Sequence, residues 1–292
     1  MRPIYSICIC NYNMADTIEA ALKSVLDQLD DRYEVIVIDD GSSDSSREKL
    51  DKISKEYSNL RYVPLVRDFR RRLGETRNIS IEAARGKYVI LHVDADDLWE
   101  PYIDSFTRVF HDLSKRLEFE SFMLSGGQIN MAPRDLLLKY RYPNVYYTED
   151  RLLWTKLISK GALICIQHKM FRTRMPIKTR RKKFLKVVKS QYSSMLVTFS
   201  YYAQPKRAFF EYLERIFKNS DWSFPVSCIN FIMIFPAFIY GVLFNRSERI
   251  DSVERDYKKL FNIDLNQIEK KYFEKYGKFN LSKDERSIYF ME

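Results

Sequence analysis

Residues 33–44 read YEVIVIDDGSSD, and residues 88–97 read YVILHVDADD. In each stretch a continuous apolar run ends in a group of aspartates. Short runs of this kind, rich in β-branched residues, are typical of strands buried on both faces, as in a parallel sheet. Because the carboxyl ends of parallel strands share one edge of the sheet, we expect the two groups of aspartates to lie in one crevice.

Working outward, apolar runs also occur at Ile4–Cys10 and Leu60–Leu65, and helical patterns separate the four predicted strands. The predicted helices of this region are Asp16–Leu29, Ser46–Tyr57 and Glu75–Ala84. This alternation predicts an α/β fold with right-handed crossovers. After residue 100 the pattern loosens into a helix at Pro101–Glu118, an edge strand or loop at Phe122–Pro133 and a helix at Glu149–Lys160.

The charge of the chain is unevenly distributed. The 292 residues carry 49 Lys+Arg and 39 Asp+Glu, a formal charge of +10. Arg151–Phe210 contains no acidic residue and carries +15, so the rest of the chain carries −5. A hydrophobic fraction of 46% with 15% aromatic residues excludes a disordered chain. The sequence therefore predicts a mildly acidic globular protein with one strongly cationic segment.

The cysteines indicate a reducing compartment. Cys8 and Cys10 alternate along an apolar run, and Cys165 and Cys228 stand alone, so no CxxC or Cys/His ligand spacing occurs. The first residues show no signal-peptide pattern, and we expect the catalytic part to lie in the cytoplasm.

The aspartates at 94, 96 and 97 favour a metal site. Three carboxylates within four residues repel one another, and a divalent cation relieves that repulsion. Mg²⁺ and Mn²⁺ are commonly held by one or two carboxylates together with substrate phosphates. The alternative is that these acids only cap helices, as Asp97 could before Leu98–Pro101.

Four motifs occur in order along the first part of the chain: Ser6–Asn13, Val37–Asp44, Gly74–Asn78 and Gly86–Asp97. With these motifs the sequence resembles the family 2 glycosyltransferases, enzymes of the GT-A fold that use nucleotide sugars. The match is strong over residues 1–105 and weaker to about residue 170.

The resemblance implies a role for each matching residue. Tyr12 and the backbone near Cys10 would border the nucleotide base, and Asp40 would hydrogen-bond its edge. Arg77 would approach the base or the diphosphate, Asp94 would touch the ribose or the sugar, and Asp96 would ligate the metal ion. The family usually has Pro where Cys10 stands, which leaves the base contacts there open.

The segment from Thr148 to Trp154 resembles the second acidic motif of the family, and this implies that Asp150 is the catalytic base. A carboxylate in the first turn of a helix is kept ionised by the helix dipole. Glu149 is the second candidate. His168 lies where many members place a metal- or diphosphate-contacting histidine, and His92 and His111 are interpreted as structural.

The region 169–245 combines cationic and apolar segments. Lys169–Lys189 holds ten basic residues, two amphipathic patterns follow, and Phe224–Phe244 is a 21-residue stretch without charge, interrupted by Pro225 and Pro236. Nucleic acid could be attracted by the charge, and a buried helical extension could explain the apolar stretch. An anionic membrane surface fits the combination better. We therefore predict no nucleic-acid partner and a membrane-associated extension that does not cross the bilayer, although a single span is an alternative.

These observations predict three regions: a GT-A catalytic domain at 1–168, a helical membrane-association region at 169–245 and a charged helical tail at 246–292. The predicted activity is a metal-dependent, inverting transfer of sugar from a UDP- or GDP-sugar, with Mn²⁺ or Mg²⁺ as cofactor. The acceptor is expected to be a polyprenyl-phosphate or polyprenyl-diphosphate-linked glycan at the cytoplasmic membrane face. The residues expected to hold its phosphates are Arg172, Arg174, Arg180 and Arg181.

Two other functions stay open at the level of sequence. A nucleotidyltransferase on a similar sheet would need a Gly-rich, basic phosphate loop near the N-terminus, which Cys10–Met14 lacks. A membrane-bound scaffold with a degenerate GT-A-like fold would be expected to lose the acidic set, which is present.

Overall fold

The computed structural model describes residues 2–145, 148–176, 183–202, 204–218, 224–243 and 262–290. The strands are β1 (Tyr5–Asn11), β2 (Tyr33–Asp39), β3 (Leu60–Pro64), β4 (Tyr88–Leu91), β5 (Asp97–Trp99), β6 (Met123–Ser125), β7 (Asn130–Pro133), β8 (Leu163–Cys165) and β9 (Arg172–Arg174). The helices are α1 (Ile18–Leu26), α2 (Ser46–Glu56), α3 (Leu73–Ala83), α4 (Ile103–Leu117), α5 (Arg134–Lys139), α6 (Glu149–Ile158), α7 (Lys183–Tyr201), α8 (Pro205–Lys218), α9 (Phe224–Leu243), α10 (Leu265–Lys271), α11 (Phe273–Tyr276) and α12 (Lys283–Tyr289).

Seven strands form one mostly parallel sheet in the order β3-β2-β1-β4-β7-β6-β8. The four strands predicted from the first hundred residues run parallel, which confirms the α/β prediction. The pairing of β1 with β2 places Asn11 opposite Asp39 at the carboxyl edge of the sheet. β5 and β9 form a separate antiparallel pair.

The sheet is covered on both faces, as its continuous apolar strands require. Side chains alternate between the faces because successive residues of a strand point in opposite directions. On β1, Ile7 and Ile9 pack with α1, α2 and α4, whereas Cys8 packs with α3, α5 and α6. This double burial fixes the register of the strands and therefore the position of the acids that follow them.

The prediction of an edge strand or loop over Phe122–Pro133 is wrong. This segment forms two strands, β6 and β7, joined by a turn in which Gly127 has φ +76°. β7 is an inner strand, antiparallel to both β4 and β6. Strands of three and four residues carry too little periodicity to reveal pairings that are formed with distant parts of the chain.

The C-terminal segment 262–290 packs against the domain that contains the sheet. Phe279, Ile288 and Tyr289 are buried in the same apolar cluster as α4. Arg108 of α4 forms an ion pair with Glu285 of α12. The segment of the predicted tail that the structure describes is therefore part of the main core.

Helices α7, α8 and α9 form a smaller apolar cluster of their own. A separate contact connects this helical unit to the domain that contains the sheet, because Tyr201 of α7 is buried with Val145 and with Leu152 of α6. Among the described residues, α9 is the one helix long and apolar enough to cross a membrane by length and composition, with a mean hydropathy of 2.1.

Removal of the Tyr289 side chain tests the docking of the C-terminal segment. Tyr289 is 2% exposed, and its hydroxyl lies 3.0 Å from the Ser105 hydroxyl. We expect Tyr289→Ala to lower the free energy of unfolding by about 3 kcal/mol, because a large buried side chain leaves a cavity. Urea denaturation measures this. The control Phe273→Ala removes a half-exposed ring of α11 and should change stability by less than about 1 kcal/mol. Equal stability of both variants would contradict the docking.

Candidate active site

The crevice at the carboxyl edge of the sheet is built first around Asp39. This carboxylate is fully buried at the end of β2 and accepts hydrogen bonds from Asn11 Nδ2 (2.7 Å) and from the Ser42 hydroxyl. Arg47 Nε donates to its other oxygen at 2.9 Å. Asp39 therefore holds the ends of β1 and β2 and the Gly41–Ser42 turn together, which makes it a structural acid.

The next residue, Asp40, is held by two arginines from the loop after β3. Arg67 donates to one carboxylate oxygen and Arg71 Nε donates to the other at 2.6 Å. The guanidinium of Arg67 also lies 4.3 Å from the ring centroid of Tyr12. The structure thus brings the predicted base-binding residues Tyr12 and Asp40 together, with Arg67 between them.

The acids after β4 are paired with arginines of β9. The antiparallel pairing of β5 with β9 places Asp97 opposite Arg174. Arg174 Nη2 lies 2.7 Å from Asp94, and its Nε lies 3.1 Å from Asp97 and 3.7 Å from Asp96. Arg172 Nη1 donates to the buried Asp97 at 2.5 Å. Two of the arginines predicted to bind acceptor phosphate are therefore the counter-charges of this acidic group.

The two candidate ligand carboxylates differ electrostatically. Burial raises the pKa of Asp96 above its ordinary value, and Arg174 acts against this effect. Burial also opposes ionisation of Asp94, but the positive charges of Arg77 and Arg174 outweigh it and lower the pKa of Asp94. Asp94 is thus the more firmly ionised of the two.

Arg77 of α3 connects this acidic group to helix α6. Its side chain is largely buried, and its Nε lies 3.4 Å from Oε1 of Glu149, the first residue of α6. Burial opposes the charge of Arg77, but Tyr142, Glu149 and Asp94 outweigh it and raise the pKa of Arg77. Cys10 adjoins this group at the end of β1, where burial raises the pKa of its thiol to about 12.

The two acids at the start of α6 have different surroundings. Glu149 is buried, and burial raises its pKa to about 7, with Arg77 acting in the opposite direction. Asp150 is half-buried, and its carboxylate accepts a hydrogen bond from the backbone N–H of Arg151 at 2.7 Å. Asp150 is therefore the more accessible carboxylate, and Glu149 is its buried neighbour.

The histidines lie in different environments. The ring of His168 packs against Phe106, Phe171 and Tyr289, and its Nδ1 lies 2.7 Å from the carbonyl oxygen of Lys169. Burial lowers its pKa. The ring of His168 is thus surrounded by aromatic side chains. The structure does not place this predicted metal ligand beside Asp96.

His92 directly follows β4 and adopts a positive φ of 67°, which is uncommon for residues other than glycine. Its ring lies 5.5 Å from that of Trp154, and burial lowers its pKa to about 4, so the imidazole is neutral at pH 7.

In the part of the chain that the structure describes, no group of three or more His, Cys, Asp and Glu side chains is arranged to hold a metal ion.

Comparison with known proteins assigns the family. The sequence model described as "Glycosyl transferase family 2" matches residues 6–156, which is more than half of the chain. The chain belongs to glycosyl transferase family 2. It is therefore a glycosyltransferase, which confirms the resemblance seen in the sequence.

Two curated relatives from Escherichia coli are similar to this glycosyltransferase. Both are named as UDP-Glc:alpha-D-GlcNAc-diphosphoundecaprenol beta-1,3-glucosyltransferases. WfgD is 33% identical over 172 residues, which cover 58% of this chain and 61% of WfgD, less than two thirds of its length. WfaP is 25% identical over 186 residues, which cover 54% of this chain and 71% of WfaP.

Solved structures support the fold. The structure of S. aureus TarS residues 1–349 in complex with UDP matches with a TM-score of 0.53 and 17% identity, over 83% of this chain and 81% of that one. At this identity the likeness concerns the fold alone. It agrees with the predicted GT-A sheet of this family 2 member.

The structure brings most predicted site residues of the glycosyltransferase into one crevice. The residues gathered there are Cys10, Tyr12, Asp40, Arg77, Asp94, Asp96 and Asp150, together with Arg172 and Arg174. Arg180 and Arg181 lie outside the described residues. The roles of all these site residues remain predictions.

Sequence reasoning missed the arginine partners of Asp40. Arg67 and Arg71 belong to a run with four arginines in six residues, directly after the third strand. Because that run follows a strand end, its position was a usable signal for a second charged wall of the crevice.

The pH dependence of stability tests the environment of Glu149. Its pKa is raised from 4.5 to about 7 in the folded protein, so the folded state binds the Glu149 proton more tightly than the unfolded state does. The contribution of this proton to the free energy of unfolding is complete below about pH 4.5 and is lost as the pH rises through 7. We expect the stability of the wild type relative to Glu149→Gln to fall between pH 5 and 8 by about 2–3 kcal/mol, measured by urea denaturation. Asp135→Asn, an exposed acid in the first turn of α5, should follow the wild type. Parallel profiles for the wild type and Glu149→Gln would contradict this assignment.

Proposed function

We propose that this glycosyltransferase moves a sugar, with inversion, from a nucleoside-diphosphate sugar to a lipid-linked acceptor at the cytoplasmic membrane face. The observation that carries the proposal is the position of Arg77, which lies within electrostatic reach of Asp94 on one side and pairs with Glu149 of α6 on the other. One side chain thus joins the acids of the donor site to the helix that carries the candidate base.

Donor binding is assigned to the crevice at the carboxyl edge of the sheet. Tyr12, 44% exposed, offers an aromatic surface for the base, and Asp40 offers carboxylate oxygens for its edge. Cys10 borders the base through its backbone. Arg77 and Asp94 interact electrostatically with each other, and the phosphates and the sugar would follow beside them. The named donor of WfgD and the ligand of the TarS structure are consistent with a UDP-sugar.

The carboxylates after β4 suit a divalent cation. Asp94 and Asp96 provide the hard oxygen donors that Mn²⁺ and Mg²⁺ prefer, and the guanidinium of Arg174 beside them shows that positive charge is stabilised there. Asp96 would hold the ion, whereas His168 packs among aromatic rings. When bound, such an ion neutralises the charge that develops on a diphosphate leaving group. Arg174 would compete with it for the carboxylates.

Asp150 is proposed as the general base. It accepts the proton of the acceptor hydroxyl as that oxygen forms a bond to the anomeric carbon and the bond to the diphosphate breaks. Attack from the side opposite the leaving group inverts the configuration. Asp150 lies in the first turn of α6, where the helix dipole favours a negative charge. Glu149 is less suited because its carboxylate is buried against Arg77.

The acceptor is proposed to be linked to a polyprenyl phosphate or diphosphate. The names of WfgD and WfaP, which specify a diphosphoundecaprenol-linked acceptor, support this class. Because Arg172 and Arg174 already pair with aspartates, the acceptor phosphates would depend more on Arg180, Arg181 and their basic neighbours.

A donor panel tests the function. Purified protein is incubated with UDP-Glc, UDP-GlcNAc, UDP-Gal and GDP-Man in the presence of Mn²⁺ and lipid extract, and release of the nucleoside diphosphate is measured. We expect release that depends on the lipid extract with one of these donors. Equal release without lipid, or with only water-soluble sugars as acceptors, would contradict the lipid-linked acceptor.

Substitution of Asp150 tests the base. We expect Asp150→Asn to lower kcat by about 10²–10⁴-fold while donor binding, measured by calorimetry, changes less than about twofold. Asp135→Asn serves as the matched control, since Asp135 also lies in the first turn of a helix and is exposed. Full turnover by Asp150→Asn, with loss in Glu149→Gln, would transfer the role to Glu149.

A further inference from the structure

Helix α9 has one face that is packed within the protein. The buried positions recur every three or four residues, which places them in a single stripe. This stripe packs against α7 and α8, and Gly241 permits the close approach, because a Cβ at that position would lie 2.4 Å from Cβ of Phe199. The stripe consists of Val226, Asn230, Ile234, Ala237 and Gly241.

The opposite face of α9 exposes large apolar side chains along its whole length. They continue onto α8, where Phe210 and Phe217 are 67% and 72% exposed and Phe217 lies 5.8 Å from Phe231, ring centroid to centroid. We call this surface the lipid face. Its residues are Phe210, Phe217, Phe224, Cys228, Phe231, Ile232, Phe235, Ile239, Val242 and Leu243.

We propose that the lipid face lies in the interfacial layer of an anionic membrane, with α9 parallel to the membrane plane. The proposal extends the proposed function, because it names the surface that would bring the enzyme to a lipid-linked acceptor. It does not depend on the donor, the metal ion or the reaction.

The size and chemistry of the lipid face favour a bilayer as its partner. A 20-residue helix is about 30 Å long, and its exposed side is apolar from end to end. Exposed apolar surfaces of this extent mark interaction sites. The sequence places ten basic residues in Lys169–Lys189, a segment that ends within the first turns of α7, and α8 carries four basic residues against two glutamates. Apolar area beside positive charge is the combination that binds anionic interfaces.

The packing of α8 on α9 favours an in-plane orientation. α8 carries charged side chains along its length, including Arg207 and Glu211 near its start and Glu214 and Lys218 near its end, in ion pairs four residues apart. If α9 crossed the bilayer with α8 packed along it, these charges would enter the hydrocarbon, where they are costly. With α9 in the plane, they lie at or above the headgroups.

The lipid face is connected to the catalytic side of the molecule. α7 packs along α9, and Tyr201 at its end is buried with Leu152 of α6. Leu152 lies two residues after Asp150 on the same helix. The proposed membrane surface therefore belongs to a unit that contacts the helix carrying the base, which suits an acceptor anchored in the bilayer.

Cys228 provides a natural probe for the test. Of the four cysteines, Cys228 alone is exposed, and it lies on the lipid face. Cys8 and Cys165 are buried, and burial raises the pKa of Cys10 to about 12, so a maleimide should label Cys228 selectively. The full-length protein is labelled with an environment-sensitive fluorophore and mixed with vesicles of phosphatidylcholine alone or with phosphatidylglycerol. We expect a blue shift that is stronger with the anionic vesicles and weakens with salt.

Depth measurements distinguish an in-plane helix from a spanning one. In the Cys228→Ser background, Phe235→Cys and Ile239→Cys place the same fluorophore near the middle and towards the end of α9. Quenching by lipids brominated at different depths should give one shallow depth for all three positions. A depth that increases from position 228 to position 235 would overturn the in-plane orientation in favour of a span.

Paired variants identify the surface. Ile232→Ser/Ile239→Ser removes two exposed apolar side chains and should weaken vesicle binding about tenfold or more. Phe273→Ser, a half-exposed ring on α11, is the control and should bind like the wild type. Unchanged binding of the double variant, or no vesicle binding together with a dimer that the double variant abolishes, would overturn the proposal. Nucleotide-sugar turnover is measured for the same variants. If the double variant loses vesicle binding but retains turnover, the lipid face serves membrane binding and not the transfer reaction, so the two proposals are tested separately.

Discussion

The site depends on one electrostatic constraint: aspartates gathered at the carboxyl edge of a parallel sheet need positive charge nearby. Asp39 and Asp40 follow β2, and Asp94, Asp96 and Asp97 follow β4. Each of the two groups has arginine partners from other parts of the chain. Close carboxylates without such partners would repel one another and take up protons. The partners are Arg47, Arg67 and Arg71 for the first group, and Arg172 and Arg174 for the second.

The sequence allowed the sheet and the acids to be predicted, but not their partners. In Val35–Asp40 and Val89–Asp97 an apolar run is followed directly by aspartates. A strand that is buried on both faces has a continuous apolar sequence, so both the strand and its acids are recognisable from a few neighbouring residues. The pairing of β5 with β9 joins residues about 75 positions apart, and the local sequence of neither strand indicates its partner. For the same reason the sequence does not reveal that Arg172 and Arg174 of β9 pair with aspartates. The resemblance predicts a ligand role for His168, whereas its ring packs against Phe106, Phe171 and, from the C-terminal segment, Tyr289.

The same arrangement links the two halves of the proposed reaction. Arg77 is stabilised by the acids of both the donor side and α6, and α6 in turn packs against the helical unit through Leu152. Because buried charges interact strongly over a few ångströms, loss of the Arg77 charge would change the electrostatic environment of both Asp94 and Glu149. Donor acids, base helix and proposed membrane surface thus form a continuous series of contacts.

Arg174 stabilises the carboxylates that a divalent cation would share with the donor. Mn²⁺ titration followed by electron paramagnetic resonance, without nucleotide, tests this most directly. We predict that Arg174→Gln binds Mn²⁺ about fivefold more tightly than the wild type, because one competing cation is removed. Asp96→Asn should bind it more weakly, and Arg207→Gln, an exposed arginine of α8, should match the wild type. Equal or weaker Mn²⁺ binding by Arg174→Gln would contradict this role of Arg174.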